Sequence, residues 1–390
     1  MIPLHRTKAA IGAATRARTA LKPTIGVVRS ISTRITDLFG CEEPVVLPGM
    51  SWISTPPLVA AVSNAGGLGI LATGPLSPEE TRASIREIRS LTDKPFGVGA
   101  TLLMPGAAEN AKVALEERVP VLNVSLGKAD WIREGLDRYG GKLLATVTNR
   151  KHASAAIASG ADALMATGHE AAAHGGDVTS LVLIPSLARA FPETPIVAAG
   201  GFATGGALNA ALSLGADGVA MGTRLATTQE SPLAEATKQA ICDSGEAQTI
   251  YGKNFDGIHA RVLETPTSTK LMESRPWLPV IVGRALVASG KMGIPLWKVL
   301  PGLVTRWNQM FAVAQFGAAT QSIQAATVDG DVEHGVQFVG QCQGLIHDVP
   351  TVQALFDTIL AESQASHTES ISKIESNSNS NINRDTRTAI

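Results

Sequence analysis

The stretch PIVAAGGFATGGALNAALSLGADGVAMGTR (195–224) decides the fold of this chain of 390 residues. It begins with a short apolar run and passes through Gly200-Gly201 into a helical segment rich in alanine and leucine. A second apolar run follows and ends at Gly222-Thr223. A strand, a helix and a strand in this order are typical of a βαβ unit, whose two strands lie parallel. The stretch therefore predicts a parallel sheet covered by helices.

The same alternation runs through the chain from Pro44 onward, with helical patterns between short apolar runs. One helical pattern opens with the capping pair Ser77 and Glu80. Eight strands joined by right-handed crossovers predict an α/β fold, a closed (β/α)8 TIM barrel. An open doubly wound sheet fits the alternation too, but the regular spacing favours closure. The eight runs are PVVLPGM (44–50), GLGILA (67–72), PFGVGATLL (95–103), VLNVSLG (121–127), KLLATVT (142–148), ADALMATG (161–168), PIVAAGG (195–201) and GVAMGT (218–223).

The segments on either side of the barrel follow other patterns. The barrel is predicted to span residues 34–230, and apolar helical spacing in residues 231–361 predicts a mainly helical lid with closing helices. Residues 362–390 are polar and predict a disordered tail. Residues 1–33 are basic and contain no Asp or Glu. They are either a basic arm on a cytoplasmic enzyme or a mitochondrial transit-like segment, and we favour the arm.

Composition excludes several classes of protein. The chain has 33 Lys and Arg against 34 Asp and Glu, so no overall field favours nucleic acid as a partner. Its three cysteines are far apart, which argues against a disulfide scaffold and a zinc site. No apolar run reaches the roughly 20 residues that span a bilayer. We expect an enzyme with a small-molecule substrate, and the sequence leaves monomer or homodimer open.

Two glycine blocks at the ends of predicted neighbouring strands are candidates for binding an anion. Gly200-Gly201 and Gly222-Thr223 lack bulky side chains, so their backbone N–H groups can approach a ligand closely. The loops after strands seven and eight are the usual phosphate site of such barrels, and a helix N-terminus adds positive potential. The alternative is that these glycines only form tight turns. Because the blocks are paired, we favour the phosphate of a cofactor.

The loop after strand six carries His169, Glu170, His174 and Asp177. The spacing H-E-x-x-x-H would turn the two histidines roughly 140° apart on a helix, so we expect no metal site. His174 is either a structural histidine or a catalytic acid or base. The small residues around it favour catalysis, because they let a substrate reach the ring.

Several of these stretches together resemble the nitronate monooxygenase, or 2-nitropropane dioxygenase-like, family of FMN-dependent barrels. That family includes a flavin-dependent enoyl-acyl-carrier-protein reductase and NAD(P)H:quinone reductases. The resemblance covers about residues 34–361. It is carried by RITDLFGCEEPVVLPGM, STPPLVAAVSNAGGLGIL, LTDKPFGV, GHEAAAHGG, PIVAAGGFATG, LGADGVAMGTR and GDVEHGVQFVGQCQGLI.

The resemblance implies a role for individual residues. Those placed against the flavin or its phosphate are Gly49, Met50, Ser51, Thr101, Thr146, Ala172, Ala199, Gly200, Gly201, Gly222 and Thr223. His174 occupies the position of the family's active-site histidine.

Three departures from the family pattern are visible. Pro48 stands where the family has glycine, Gly99 replaces an asparagine after F-G-V, and Ala172-Ala173 replace two glycines before the histidine. The loss of the asparagine removes an amide that would hydrogen-bond the flavin or the substrate.

The resemblance implies an FMN-dependent oxidoreductase, and the expected activity is oxidation of alkyl nitronates by dioxygen to carbonyl compounds and nitrite. One alternative is a quinone or enoyl-thioester reductase with NAD(P)H as co-substrate. Another, of a different class, is a flavin-binding protein without catalytic activity.

Overall fold

The computed structural model describes residues 30–255, 258–273 and 319–385. Eight parallel strands pair in sequence order, and β1 pairs with β8 to close the barrel, which confirms the predicted fold. Each strand lies within the run that the sequence assigned to it. The strands are β1 Val45–Leu47, β2 Leu68–Ala72, β3 Phe96–Thr101, β4 Val121–Ser125, β5 Lys142–Val147, β6 Ala163–Thr167, β7 Ile196–Ala199 and β8 Gly218–Ala220.

Helices alternate with the strands and cover the outside of the barrel. Two of them begin at capping boxes, at Thr33 and at Ser77, where side chain and backbone satisfy each other's donors. The helices of this part are α1 Arg34–Phe39, α2 Pro56–Asn64, α3 Pro78–Leu91, α4 Ala107–Glu116, α5 Asp130–Asp137, α6 Arg150–Ala158, α7 Ser180–Ala190, α8 Gly205–Ser213 and α9 Thr223–Ala226.

Helix α1 closes the amino-terminal end of the barrel. Ile35 and Phe39 pack with the inward side chains of the strands, such as Ile70. Arg34 forms a two-pronged ion pair with Asp217, at 2.7 Å from Nε and 2.8 Å from Nη2. The same carboxylate accepts from the Ile196 amide, so one contact joins α1, β7 and the start of β8.

The segment after the barrel contains more than the predicted helices. A two-stranded antiparallel hairpin, β9 Thr249–Gly252 and β10 Ala260–Leu263, lies between α10 Glu235–Cys242 and α11 Pro266–Glu273. Residues 319–327 form α12, and a 3₁₀ turn covers Gln341–Leu345. About a third of the predicted lid and closing helices, residues 274–318, lies outside the described residues, as do residues 1–29 of the predicted basic arm.

The last helix, α13, runs over Val352–Asp385. The prediction of a disordered tail from residue 362 is wrong at its start, because Ser363 is buried and donates to Asn209 of α8. The Glu362 carboxylate accepts from the amide of Gly205, the first residue of α8. The order of this segment was not predicted because the contacts that hold its start are polar and leave no apolar pattern in the sequence. Within the described ranges, no helix is long and apolar enough to cross a membrane.

Candidate active site

The carboxyl-terminal mouth of the barrel opens into a cavity of about 1750 Å³. Large side chains such as Ile70 and Leu144 fill the barrel interior one layer below. Two residues beyond Ile70 lies Ala72, which is paired with Gly99 of β3, and both line the cavity with small side chains, as does Ala220 of β8. A barrel core is normally packed at every layer, so this layer of small residues leaves room for a ligand.

The cavity brings together every residue that the sequence analysis named as a site residue. His174 lines it, and so do all eleven residues assigned to the flavin, from the ends of six different strands and the loops that follow them. Their contact with a cofactor stays a prediction. These residues are Gly49, Met50, Ser51, Thr101, Thr146, Ala172, Ala199, Gly200, Gly201, Gly222 and Thr223.

The glycine pair after β7 has a backbone that other residues rarely adopt. Gly200 has φ +101° and Gly201 has φ +88°, and a Cβ at Gly200 would lie 3.1 Å from the Ala171 amide nitrogen. In the described part of the chain, no hydrogen bond takes the N–H group of Gly200, Gly201 or Gly222. Partly buried N–H groups without protein acceptors need another partner. Successive backbone N–H groups in a turn can point into one concavity, which suits an anion.

The hydroxyl of Thr223 contacts the segment that precedes the last helix. It accepts a 2.9 Å hydrogen bond from the Gly340 amide, and Gly340 lies so close to the β6 loop that a Cβ would be 3.0 Å from the Glu170 carbonyl oxygen. The sequence analysis did not assign Gly340 to the site. The signal was present in the motif GDVEHGVQFVGQCQGLI, but nothing local places that motif beside Thr223.

The positive potential expected from α8 is already used within the protein. The carboxylate of Glu362 accepts from the Gly205 amide at 2.8 Å, and the Thr204 side chain caps the amide of Ala207. A carboxylate at this end of a helix takes the place that an external anion would occupy. The predicted binding of an anion at the mouth would therefore depend on the glycine N–H groups and not on α8.

Glu170 and His169, in the loop after β6, form hydrogen bonds that stabilise different parts of the structure. Glu170 accepts from the amide and the hydroxyl of Ser180 and so caps α7, while His169 Nδ1 lies 3.0 Å from the Gly176 carbonyl oxygen. Among the described residues, no three His, Cys, Asp or Glu side chains are grouped to hold a metal ion.

His174 lies at the end of this loop, in a tightly held backbone. Ala173 has φ +51°, a left-handed conformation that strains a residue with a Cβ. The family pattern has glycine there, which would adopt this angle freely. The His174 ring faces Phe338, with 6.0 Å between ring centroids. The ring is thus placed on the cavity wall between the barrel and the segment that follows it.

Polar side chains from β3 to β5 line the opposite wall. Asn123 is directly paired with Gly99 in the sheet, and its Nδ2 donates to Thr146 Oγ1 at 3.1 Å. Ser125 donates to Thr101 Oγ1 at 3.2 Å. The sequence analysis missed Asn123, although its position two residues after Val121 fits an inward side chain. An amide is therefore present beside the position where Gly99 lacks one.

Comparisons with known proteins show which family this chain resembles. The family model described as nitronate monooxygenase matches residues 32–362. A (3aS,4S,5R,7aS)-5-hydroxy-7a-methyl-1-oxo-octahydro-1H-indene-4-carboxyl-CoA dehydrogenase of Mycobacterium tuberculosis is 35% identical over 345 residues, 85% of this chain and 96% of that protein. A nitronate monooxygenase of Pseudomonas aeruginosa is 30% identical over 375 residues, 83% of this chain and 97% of that protein. The structure of FabK from Thermotoga maritima has a TM-score of 0.73 at 33% identity, over 89% and 99% of the two chains.

Proposed function

The chain belongs to the nitronate monooxygenase family and is an oxidoreductase, and from this premise we propose that it uses FMN to oxidise or reduce a carbon acid. By carbon acid we mean a substrate whose reacting carbon lies beside an electron-withdrawing group, such as a nitro group or a thioester carbonyl. In an acyl thioester or a neutral nitroalkane, a proton beside that group must be removed or delivered, whereas an alkyl nitronate has already lost it. His174 is the residue that we assign to this proton.

The residues at the mouth fit FMN. The N–H groups of Gly200, Gly201 and Gly222 suit its phosphate, because the three residues line the cavity and none of these donors is taken within the described residues. The layer of small residues suits a flat ring system. When bound, FMN supplies the electron-transfer chemistry, and the protein supplies binding, orientation and proton handling.

His174 is suited to handling the proton. A histidine titrates near neutral pH when its surroundings do not perturb it, so it can act both as an acid and as a base. It reaches the cavity from a loop of small residues, and Phe338 limits the space beside its ring. A substrate held against this wall would therefore present its reacting carbon to the imidazole and not to bulk water.

We favour an acyl thioester as the substrate, and the size of the cavity carries this choice. Pockets for small molecules usually measure roughly 300–1,000 Å³. A cavity of about 1750 Å³ has room for a flavin nucleotide and for a second large organic molecule. The dehydrogenase from Mycobacterium tuberculosis, whose name describes a bulky carboxyl-CoA compound, supports the same substrate class.

Oxidation of an alkyl nitronate with dioxygen is the second candidate. It is favoured by the position of His174, which in its protonated form would pair with the nitronate anion. The nitronate monooxygenase of Pseudomonas aeruginosa supports it as well. NAD(P)H is a proposed source of electrons for the thioester reaction only.

An anaerobic mixing experiment separates the two substrates. The full chain is loaded with FMN, and its flavin absorbance is followed after addition of NADPH, NADH or an alkyl nitronate. In a second series the flavin is first reduced by light with EDTA as the electron donor and then mixed with a bulky α,β-unsaturated acyl-CoA. We expect the reduced flavin to be reoxidised by the acyl-CoA within the mixing time course, and the nitronate to cause no bleaching.

Free FMN treated identically is the control for reactions that need no protein. Bleaching by the nitronate alone, with no response to the acyl-CoA, would contradict the thioester proposal and establish the second candidate. A protein that takes up no FMN would contradict both.

A further inference from the structure

The hairpin β9–β10 holds the loop that carries His174. The Ala173 amide donates to the Arg261 carbonyl oxygen at 3.2 Å, and the Arg261 amide donates to the Ala173 carbonyl oxygen at 3.1 Å. These two bonds form an isolated antiparallel bridge between the loop after β6 and strand β10. The residue immediately before His174 is therefore attached to an element about ninety positions further along the chain.

A second contact fixes the residue immediately after His174. The hydroxyl of Tyr251, on β9, donates to the Gly175 carbonyl oxygen at 3.2 Å. Burial raises the pKa of Tyr251, so its hydroxyl stays protonated and remains a donor at neutral pH. The hairpin thus holds the backbone on both sides of His174, through Ala173 and through Gly175.

The side chain of Arg261 ties the hairpin to the start of the same loop. Its guanidinium donates to the His169 carbonyl oxygen at 3.1 Å and to Thr249 Oγ1 at 2.8 Å, and it lies 5.3 Å from the centre of the Tyr251 ring. The side chain is 4% exposed, and burial lowers the pKa of the guanidinium. Among the described residues no carboxylate forms an ion pair with it. Its hydrogen-bond acceptors are neutral, and although the charge of Glu170 favours the cation, burial outweighs it, so the placement of this cation is costly.

We infer that Arg261 and Tyr251 are positioning residues that set the orientation of His174. The Arg261 side chain holds the loop at His169 and its backbone holds it at Ala173, and the Tyr251 hydroxyl holds it at Gly175. Without these two side chains, only the backbone bridge at Ala173 would hold the loop, and the strained left-handed backbone there would turn the imidazole away from the cavity wall. This inference rests on the proposed role of His174, but the conformation of its ring can be measured without any substrate.

The test uses the full chain loaded with FMN and labelled with ¹³C at histidine Cε1. The chain has eight histidines, so each signal can be followed, and His174→Gln identifies the signal of His174. In Arg261→Gln and in Tyr251→Phe we expect the His174 signal to move or broaden and its titration midpoint to change. The signals of His152 and His347 should stay in place.

Turnover supplies the second readout. Arg261→Gln should lower kcat about tenfold or more when His174 is present, and less than twofold in the His174→Gln background, since coupled residues are not additive. Arg261→Lys, which keeps the charge and one of the two hydrogen bonds, should recover part of the loss. Arg133→Gln is the matched control. Arg133 lies on α5 and donates to Asp162 and to the Gly141 carbonyl oxygen, so its substitution should leave the His174 signal unchanged.

An unchanged His174 signal in both Arg261→Gln and Tyr251→Phe would overturn the inference. The same holds if Arg261→Gln lowers kcat equally in both backgrounds. If Arg261→Gln does not fold, Tyr251→Phe decides the question, because it removes a single hydroxyl. A shifted His174 signal in a protein without activity on nitronates or thioesters would support the inference and contradict the proposed function.

Discussion

At the amino-terminal end of the barrel, α1 fills the opening with Ile35 and Phe39, whereas at the carboxyl-terminal end the strands stop in glycine, alanine and threonine around an open cavity. The first end is tied by Arg34 and Asp217, whose charges are paired. The second exposes backbone donors at Gly200 and Gly201 that have no protein acceptor within the described ranges. One end satisfies its groups internally, and the other leaves them for a ligand.

Backbone strain follows the same division. In the described part of the chain, four residues other than glycine have positive φ: Trp52, Arg118, Leu126 and Ala173. Three of them, all except Arg118, line the cavity at the mouth. Strained residues persist only where their surroundings hold them, and they gather at binding sites. Substitutions at the closed end should therefore change stability without changing binding or catalysis, whereas binding and catalysis should respond only to substitutions at the mouth.

The largest effect is expected at His174. His174→Gln keeps a polar side chain of similar size but removes the titrating group, so turnover should fall by about 10²–10⁴-fold, the usual contribution of an acid or base. The measurement is steady-state kcat on the substrate identified by the mixing experiment. FMN content and thermal stability should equal those of the wild type, and a variant with full turnover would remove His174 from the proposal.

Next comes Gly200→Ala at the mouth. The Cβ would lie 3.1 Å from the Ala171 amide nitrogen and the Gly168 carbonyl oxygen at φ +101°, so stability should fall by about 1–3 kcal/mol. The displaced backbone should also raise the Kd for FMN at least about tenfold, measured by fluorescence titration. Gly215→Ala is the matched control, because Gly215 has φ +96° but lies outside the cavity lining. Equal losses of FMN affinity in both variants would contradict the phosphate assignment.

A smaller effect is expected at the closed end. Arg34→Met removes the two-pronged pair with Asp217 and the bond to the Pro192 carbonyl oxygen, and should lower the free energy of unfolding by about 1–2 kcal/mol. Urea unfolding measures this loss. Both kcat and the Kd for FMN should be unchanged, and a clear loss of either would show that the two ends are not independent.

The smallest effect is expected from Ala173→Gly. Glycine adopts φ +51° without strain, so this change should raise the free energy of unfolding by up to about 1 kcal/mol. Ala172→Gly is its control, since Ala172 has no positive φ and glycine there should only destabilise. A loss of stability in Ala173→Gly equal to that in the control would mean that the loop stores no strain.

The barrel itself was accessible to sequence analysis because each strand is a local apolar run. Ile70 and Leu144 each belong to a short apolar run. The residues around each run already indicate that it is a strand and where the strand begins and ends. The glycine blocks were accessible for the same reason, since Gly200-Gly201 immediately follows its strand. The prediction of the fold and of the two glycine blocks as a candidate anion site needed no knowledge of distant contacts.

The hairpin and the last helix were not accessible in this way. Arg261 looks like an ordinary strand residue until β10 is placed beside Ala173, and Glu362 looks like the beginning of a polar tail until it reaches Gly205. Their roles depend on contacts between residues about 90 and 157 positions apart, for which a single sequence carries no periodic signal.

By itself the sequence determined the repeated βα units, the closed barrel and the residue types at its mouth, because spacing and side-chain size act locally along the chain. Only the tertiary structure decided how His174 is held, that Glu362 occupies the end of α8, and that Asn123 lies beside Gly99. Those arrangements follow from hydrogen bonds across the fold, whose partners become neighbours only when the barrel closes.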